Sequence, residues 1–169
     1  KAAQIVHEEN LANPILLGKR TVIEKLIKEH NLGIEDLPVI DTFEHEYLTE
    51  RYATLLYEKR KRKGTTFFDA TKKVRDRNYF GAAMVEAGDA DAFVSGLTRK
   101  YKEVITPLFE VIGPEPGTRK IAGMYIMLSK KGPMFFTDTT INENPTAEEL
   151  VEITLQAARI IKRINIKPR

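Results

Sequence analysis

Residues 78–99 read NYFGAAMVEAGDADAFVSGLTR, and the change of rhythm inside this stretch decides the fold class. Its first half, Arg77 to Ala87, is crowded with small residues and suits a helix that packs closely against its neighbours. Gly88 and Asp89 then break the pattern. Asp91 to Gly96 is a short apolar run running into a glycine, the signal of a buried strand that opens into a loop. The alternation continues on both sides. Upstream, Asn13 to Gly18 reads as a strand, and Thr21 to His30 as a helix with Val22, Leu26 and Ile27 on one face. Leu37 to Ile40 reads as a second strand ending at Asp41 and Thr42. Glu46 to Lys63 carries Tyr47, Leu48, Tyr52, Leu55 and Leu56 at helical spacing, and Thr66 with Asp69 forms a capping box for the next helix. Downstream, Glu103 to Ile112 suits a helix that accommodates Pro107 near its first turn. Ile121 to Ser129 and Met134 to Asp138 read as strands joined by a tight turn, hence an antiparallel hairpin. Thr146 and Glu149 open a helix that runs to Ile164. Alternating strands and helices predict an α/β fold: a mostly parallel three-layer sheet carrying one antiparallel hairpin. A lobe boundary is expected near Asp76 to Asn78, giving residues 1–76 and 77–169.

The 169 residues, 42% hydrophobic and 30% charged, have the balance of a globular domain long enough to bury a core without cross-links. There is no cysteine, which excludes a disulfide framework, a thiolate zinc site and a cysteine nucleophile, and fits a reducing cytoplasm. A net charge of +3 and a pI near 9.0 favour a phosphorylated small molecule over nucleic acid, since acidic residues are spread through the same segments. No stretch approaches the roughly 20 apolar residues of a membrane span, and no secretory signal is visible. Both ends read as interior to a longer protein. Lys1 to Leu11 looks like a helix already under way, and Lys167 to Arg169 follow a long helix where another strand is expected.

Ligands in open α/β sheets bind beyond the carboxyl ends of strands, which points to two loops. In the first, Gly96 lets a ligand approach the backbone, Ser95 and Thr98 offer hydroxyls, and Arg99 offers a guanidinium suited to phosphate; the same residues also suit a plain capped turn. In the second, Asp138, Thr139 and Asn142 lie between a strand and a helix N-terminus, which favours anions; they equally suit Asx turns and a cap. The run Lys59 to Lys63 complements a helix C-terminus and reads as solvated surface, with room for one member to turn inward to a phosphate. His7, His30 and His45 have no metal-ligand spacing, and no dinucleotide, phosphate-loop or nucleophile-elbow motif occurs.

Residues 78–99 closely resemble the phosphate acetyl/butyryltransferase family, as do 122–127 (AGMYIM), 136–150 (FTDTTINENPTAEEL) and 12–18 (ANPILLG). Ser95 to Arg99 resemble the version of this domain fused behind NADP-dependent malic enzymes, where it is thought to sense acetyl-CoA. The resemblance implies two α/β lobes around a cleft, of the isopropylmalate/isocitrate dehydrogenase-like kind and incomplete in this chain. It implies acetyl-CoA or CoA as ligand, and assembly into dimers or larger homo-oligomers. NADP and a divalent metal would belong to a malic enzyme domain outside this chain. It places a CoA phosphate on Arg60 and acyl-CoA or phosphate near Ser95, Gly96, Thr98, Arg99, Asp138, Thr139 and Asn142. One departure stands out: where the family's transferases carry an arginine before the helix proline, this chain has Thr106 before Pro107. The family's serine–arginine–aspartate catalytic motif is expected downstream of Arg169, so the resemblance gives this chain no catalytic residue of its own. A genuine phosphate acetyltransferase and a structural oligomerisation module are the alternatives.

Overall fold

The computed structural model describes residues 1–168, and its chain divides into two compact units, Lys1–Gly113 and Pro114–Arg169. The first unit opens with helix α1 (Ala2–Glu8) and continues with strand β1 (Leu16–Leu17), helix α2 (Arg20–His30) and strand β2 (Val39–Ile40). β1 and β2 pair in parallel, Leu16 with Val39 and Leu17 with Ile40. Helices α3 (Glu46–Arg60), α4 (Phe67–Val74), α5 (Arg77–Glu86) and α6 (Tyr101–Val111) follow, with a 3-10 turn at Lys61–Lys63. The expected lobe boundary at Asp76 to Asn78 is the α4–α5 junction, and both helices share the core of this unit.

That core is helix on helix. Tyr52, Ala53 and Leu56 of α3 meet Ala70 and Val74 of α4, Phe80, Ala82 and Ala83 of α5, and Val111 of α6, all buried. The Tyr52 and Phe80 rings meet edge to face at 4.9 Å, a favoured aromatic geometry. The Tyr52 hydroxyl donates to Asp89 Oδ2 at 2.6 Å, so the phenol's polar end is satisfied. Burial and that carboxylate both push the Tyr52 pKa up, and the phenol stays protonated. A second cluster, Ile27, Leu32, Ile34 and Leu37, fills the space beside β1 and β2. The capping box expected at Thr66 is present: its side chain accepts from Asp69 N–H and the Asp69 carboxylate accepts from the Thr66 backbone N–H.

The fold is α/β with small sheets, and two sequence expectations need correcting. The sheet is not a broad parallel one: the described residues form two separate two-stranded sheets. Asp91 to Gly96, read as a buried strand, joins no ladder, and Val94 and Leu97 lie almost fully exposed. The reason is physical. β-propensity describes how well a side chain suits a pleated surface, but strand structure requires a neighbouring backbone to take its N–H and C=O groups, and no described segment supplies one here. Side chains tether this segment instead. The Phe93 ring lies on α5 where Gly81 has no side chain; a Cβ there would come within 2.3 Å of the ring.

The second unit is a hairpin and a helix. Strands β3 (Met124–Ser129) and β4 (Gly132–Thr137) pair antiparallel, as expected, with Tyr125 opposite Phe136 and Met127 opposite Met134. Helix α7 (Ala147–Arg163) starts at the expected capping box of Thr146 and Glu149 and buries Ile153, Ala157 and Ile161. No helix among the described residues is long and apolar enough to cross a membrane.

The Gly81–Phe93 contact predicts a sign change in a double-mutant cycle. Gly81→Ala should destabilise the chain by about 1–3 kcal/mol through overpacking. In a Phe93→Ala background the same change should stabilise by about 0.5–1 kcal/mol, the ordinary advantage of alanine over glycine in a helix. Denaturant unfolding of the four proteins measures both.

Candidate functional site

The carboxyl ends of β1 and β2 open onto a cleft of about 610 Å³ that lies wholly within the first unit. Its apolar wall comes from Leu17 and from Val22, Ile23 and Leu26 of α2; its polar wall carries Lys19, Lys72, Arg75, Arg77 and Arg99 against Asp41 and Asp76. Five cations facing two carboxylates give the cleft a positive potential that favours anionic ligands. Gly18, at the end of β1, has a φ of +152°, and a Cβ there would sit 3.4 Å from Ile23 and 3.8 Å from the Arg77 side chain. These are ordinary contact distances, so it is the backbone conformation and not the space that favours glycine here.

Both carboxylates already have structural partners. Asp41 Oδ1 accepts from Phe43 N–H at 3.1 Å. Asp76 caps α5 by accepting from Asn78 N–H at 2.9 Å, and its other oxygen takes the Arg99 guanidinium at 3.2 Å. Arg99 also faces Glu103 at 3.6 Å. The Thr42 hydroxyl donates to the Arg75 carbonyl at 2.8 Å and so fastens the β2 loop to the α4–α5 junction.

Of the first predicted loop, Arg99 reaches the cleft. Ser95, Gly96 and Thr98 are exposed and outside its lining. Gly96 adopts a φ of +124°, as a glycine loop requires, and the Ser95 hydroxyl donates to Asn78 Oδ1 at 2.7 Å. The same Asn78 gives its amide N–H to the Glu103 carbonyl at 3.2 Å. That carbonyl is open because its helical partner four residues on is Pro107, which has no N–H to give.

Arg60 lies elsewhere in the first unit, in a cluster linking α3, α4, α5 and α6. It faces Glu110 at 3.5 Å, and Glu110 also accepts from Lys73 at 2.7 Å and from the Tyr79 hydroxyl at 2.8 Å. Burial pushes the Glu110 carboxyl up, but the bonds from Lys73 and Tyr79 and the charges of Lys73 and Arg60 outweigh it and hold it below the usual range. Arg60 Nε is buried without a hydrogen-bond partner among the described residues, an arrangement that costs about 1–3 kcal/mol. The basic run around it is shared among several carboxylates, Lys59 pairing with Glu86 and Lys61 with Glu58.

Asp138, Thr139 and Asn142 belong to the second unit. The Asp138 carboxylate accepts from the N–H groups of Gly123 (3.0 Å), Thr140 (3.2 Å), Ile141 (3.3 Å) and Asn142 (2.8 Å), and from the Asn142 side chain. Asn142 also donates to the Ile121 carbonyl at 2.9 Å, and Thr139 is exposed in the same loop. Asp138 therefore organises the loop after β4, as the Asx-turn reading holds. Burial pushes its pKa up, and the donors from Thr140, Asn142 and Gly123 more than reverse this and leave it depressed. Among the described residues, no group of three or more His, Asp or Glu side chains is placed to hold a metal ion.

Sequence reading missed Lys19, Lys72, Arg75 and Arg77 as site residues. The rule that pointed to the loop after Val94 applies equally to the loops after Leu17 and Ile40, and those two loops supply the floor of the cleft.

The family model described as phosphate acetyl/butaryl transferase matches residues 1–169. The chain is 34% identical to the phosphate acetyltransferase of Thermoanaerobacterium thermosaccharolyticum, over all of this chain and 53% of that protein. It is 38% identical to the NADP-dependent malic enzyme of Haemophilus influenzae, over 99% of this chain and 22% of that one. Among solved structures, the EutD phosphotransacetylase from Staphylococcus aureus superposes with a TM-score of 0.87 at 28% identity, covering 99% of this chain and 50% of that one. The chain thus spans about half the length of the Thermoanaerobacterium and Staphylococcus proteins and about a fifth of the malic enzyme.

The depressed pKa of Asp138 makes its loop acid-sensitive. Its stabilising contribution is complete above the unfolded aspartate value of about 3.9 and is lost as pH falls through the lower folded value. Amide exchange at Thr140, Ile141 and Asn142 should therefore accelerate in acid beyond the trend of α7. In Asp138→Ala that acceleration should already be present at neutral pH.

Proposed function

The chain belongs to the phosphate acetyl/butaryl transferase family, and on that footing we propose that it is the acyl-CoA-binding, regulatory portion of an NADP-dependent malic enzyme, which oxidatively decarboxylates malate to pyruvate. The carrying observation is the cleft at the ends of β1 and β2, where five cations and an apolar wall suit a phosphorylated ligand with an apolar arm. Both of its carboxylates are committed to a turn, a cap and an ion pair, so the cleft is furnished to bind anions more than to move protons. Thr106 in place of the transferases' arginine points the same way, because a hydroxyl cannot hold a phosphate as a guanidinium does. In this reading Arg99 and the other cleft cations hold the ligand's phosphates, and Arg60, outside the cleft with its Nε unpartnered, is the alternative seat for a CoA phosphate. Regulation follows only if acetyl-CoA binds two states of the full protein with different affinity. Self-assembly into dimers or larger and a cytoplasmic setting go with the proposal.

A second reading is favoured by the 34% identity to a phosphate acetyltransferase. In it, the chain is part of an enzyme that interconverts acetyl-CoA and acetyl phosphate, with the rest of the polypeptide supplying the reacting groups.

NADP reduction by the full polypeptide that carries this chain, supplied with malate and a divalent metal, separates the two. Turnover that responds to acetyl-CoA is the expected result. Formation of acetyl phosphate from acetyl-CoA and phosphate, without malate oxidation, would establish the transferase reading instead, and assembly with neither activity would leave a structural module. Calorimetric titration with acetyl-CoA should show roughly tenfold or greater weakening for Arg77→Ala where the cleft holds the phosphates, and for Arg60→Ala where the Glu110 cluster does, since the variant then removes a charge-assisted bond. Unchanged affinity in either variant would remove that residue from the site.

A further inference from the structure

Phe43 is an aromatic ring that the core does not use. It lies just beyond β2, lines the cleft, and is 59% exposed. The Arg75 guanidinium sits over the ring at 5.5 Å from its centroid. The two are held in register by the backbone on either side. Asp41 and Thr42, immediately before Phe43, are 8% and 3% exposed. Asp41 Oδ1 accepts from Phe43 N–H, and the Thr42 hydroxyl bonds to the carbonyl of Arg75 itself. The Thr42 carbonyl accepts in turn from the Thr49 hydroxyl of α3 at 3.2 Å. An exposed aromatic on a buried, hydrogen-bonded base loses little freedom when a flat group is laid on it.

We infer that Phe43 and Arg75 form a stacking platform for a purine, and that the cleft takes the adenosine diphosphate end of its ligand there. This rests on the reading of the cleft as an anion site and adds which part of the ligand occupies it. Aromatic faces and guanidinium planes are the surfaces on which nucleobases stack. Arg77 and Lys72 line the same cleft and supply cations for a diphosphate. Val22 of α2, 51% exposed, adds to the apolar wall. The chemistry is shared by CoA and by a free adenine nucleotide, and the test distinguishes them.

The chain contains no tryptophan, so Phe43→Trp creates a single fluorescent reporter on the platform. The 169-residue chain, wild type, Phe43→Trp and Phe43→Leu, is titrated with CoA, ADP and inorganic pyrophosphate, with circular dichroism confirming that each variant folds. CoA and ADP should bind wild type about tenfold or more tightly than pyrophosphate, the worth of one stacked base. Both should also quench the indole fluorescence of the Phe43→Trp protein, whereas pyrophosphate should not. Phe43→Leu should lose about tenfold for CoA and ADP and nothing for pyrophosphate. CoA bound well beyond ADP would locate the ligand as the coenzyme; equal affinity would assign the platform to adenine nucleotides in general. Equal binding of all three probes, or a Phe43→Leu protein with wild-type affinities, would overturn the platform and leave the anion cleft standing. CoA binding without ADP binding would also overturn it, while sparing the acyl-CoA reading. Binding of none of the three would overturn both.

Discussion

A proline without an N–H holds the cleft end of the first unit in place. Because Pro107 cannot bond back along its helix, the Glu103 carbonyl is left for Asn78. Asn78 is buried at the start of α5 and spends the other end of its amide on Ser95. Two residues earlier, Asp76 caps the same helix and fixes Arg99. The segment from Asp91 to Lys100 has no ladder to lean on, so these few side-chain bonds and the Phe93 ring on Gly81 determine where Arg99 points. An amide that donates at one end and accepts at the other suits this position; a carboxylate would leave the Glu103 carbonyl unmatched, and an aliphatic residue of the same size would leave both partners so.

The local features of the fold were legible in the sequence. Capping boxes such as those at Thr66 and Thr146 close within four residues, and the β3–β4 hairpin closes within a short turn, so their determinants are contiguous. Asp91 to Gly96 was misread because a ladder depends on a partner that a single segment cannot reveal. The cleft was half legible. Arg99 stood out beside a glycine loop, whereas Arg75 and Arg77 sit at a helix junction where cations usually mean solvent. Their convergence with Lys19 and Lys72 depends on the packing of α2, α4 and the β1–β2 pair. Phe43 looks like any loop aromatic until Arg75 is seen over its ring. Composition leaves Asp138 and Asn142 open between an anion site and an Asx turn; the four backbone N–H groups that converge on the Asp138 carboxylate come from residues no short motif joins.

The two groups of cations in the first unit are handled differently. Around Glu110, Arg60 and Lys73 share one carboxylate, with a tyrosine hydroxyl completing its shell. In the cleft the carboxylates are themselves tied down, and the surplus positive charge faces open space. The first arrangement joins four helices; the second leaves charge available to a visitor. A guanidinium that keeps its Nε unpartnered while its terminal nitrogen is engaged at 3.5 Å stands between these cases.

The hairpin of the second unit carries apolar side chains on both faces. Tyr125, Ile126, Met127, Leu128, Met134 and Phe136 are each about half exposed or more. Two neighbouring strands rich in aromatic and branched residues, with little charge along them, are a template on which another chain can add a strand. The paired lysines at the turn, Lys130 and Lys131, place like charge where two hairpins would meet end on. Like charges at the tip oppose tip-to-tip stacking, a repulsion that high salt screens, while Pro133 within β4 removes one backbone donor from the hairpin.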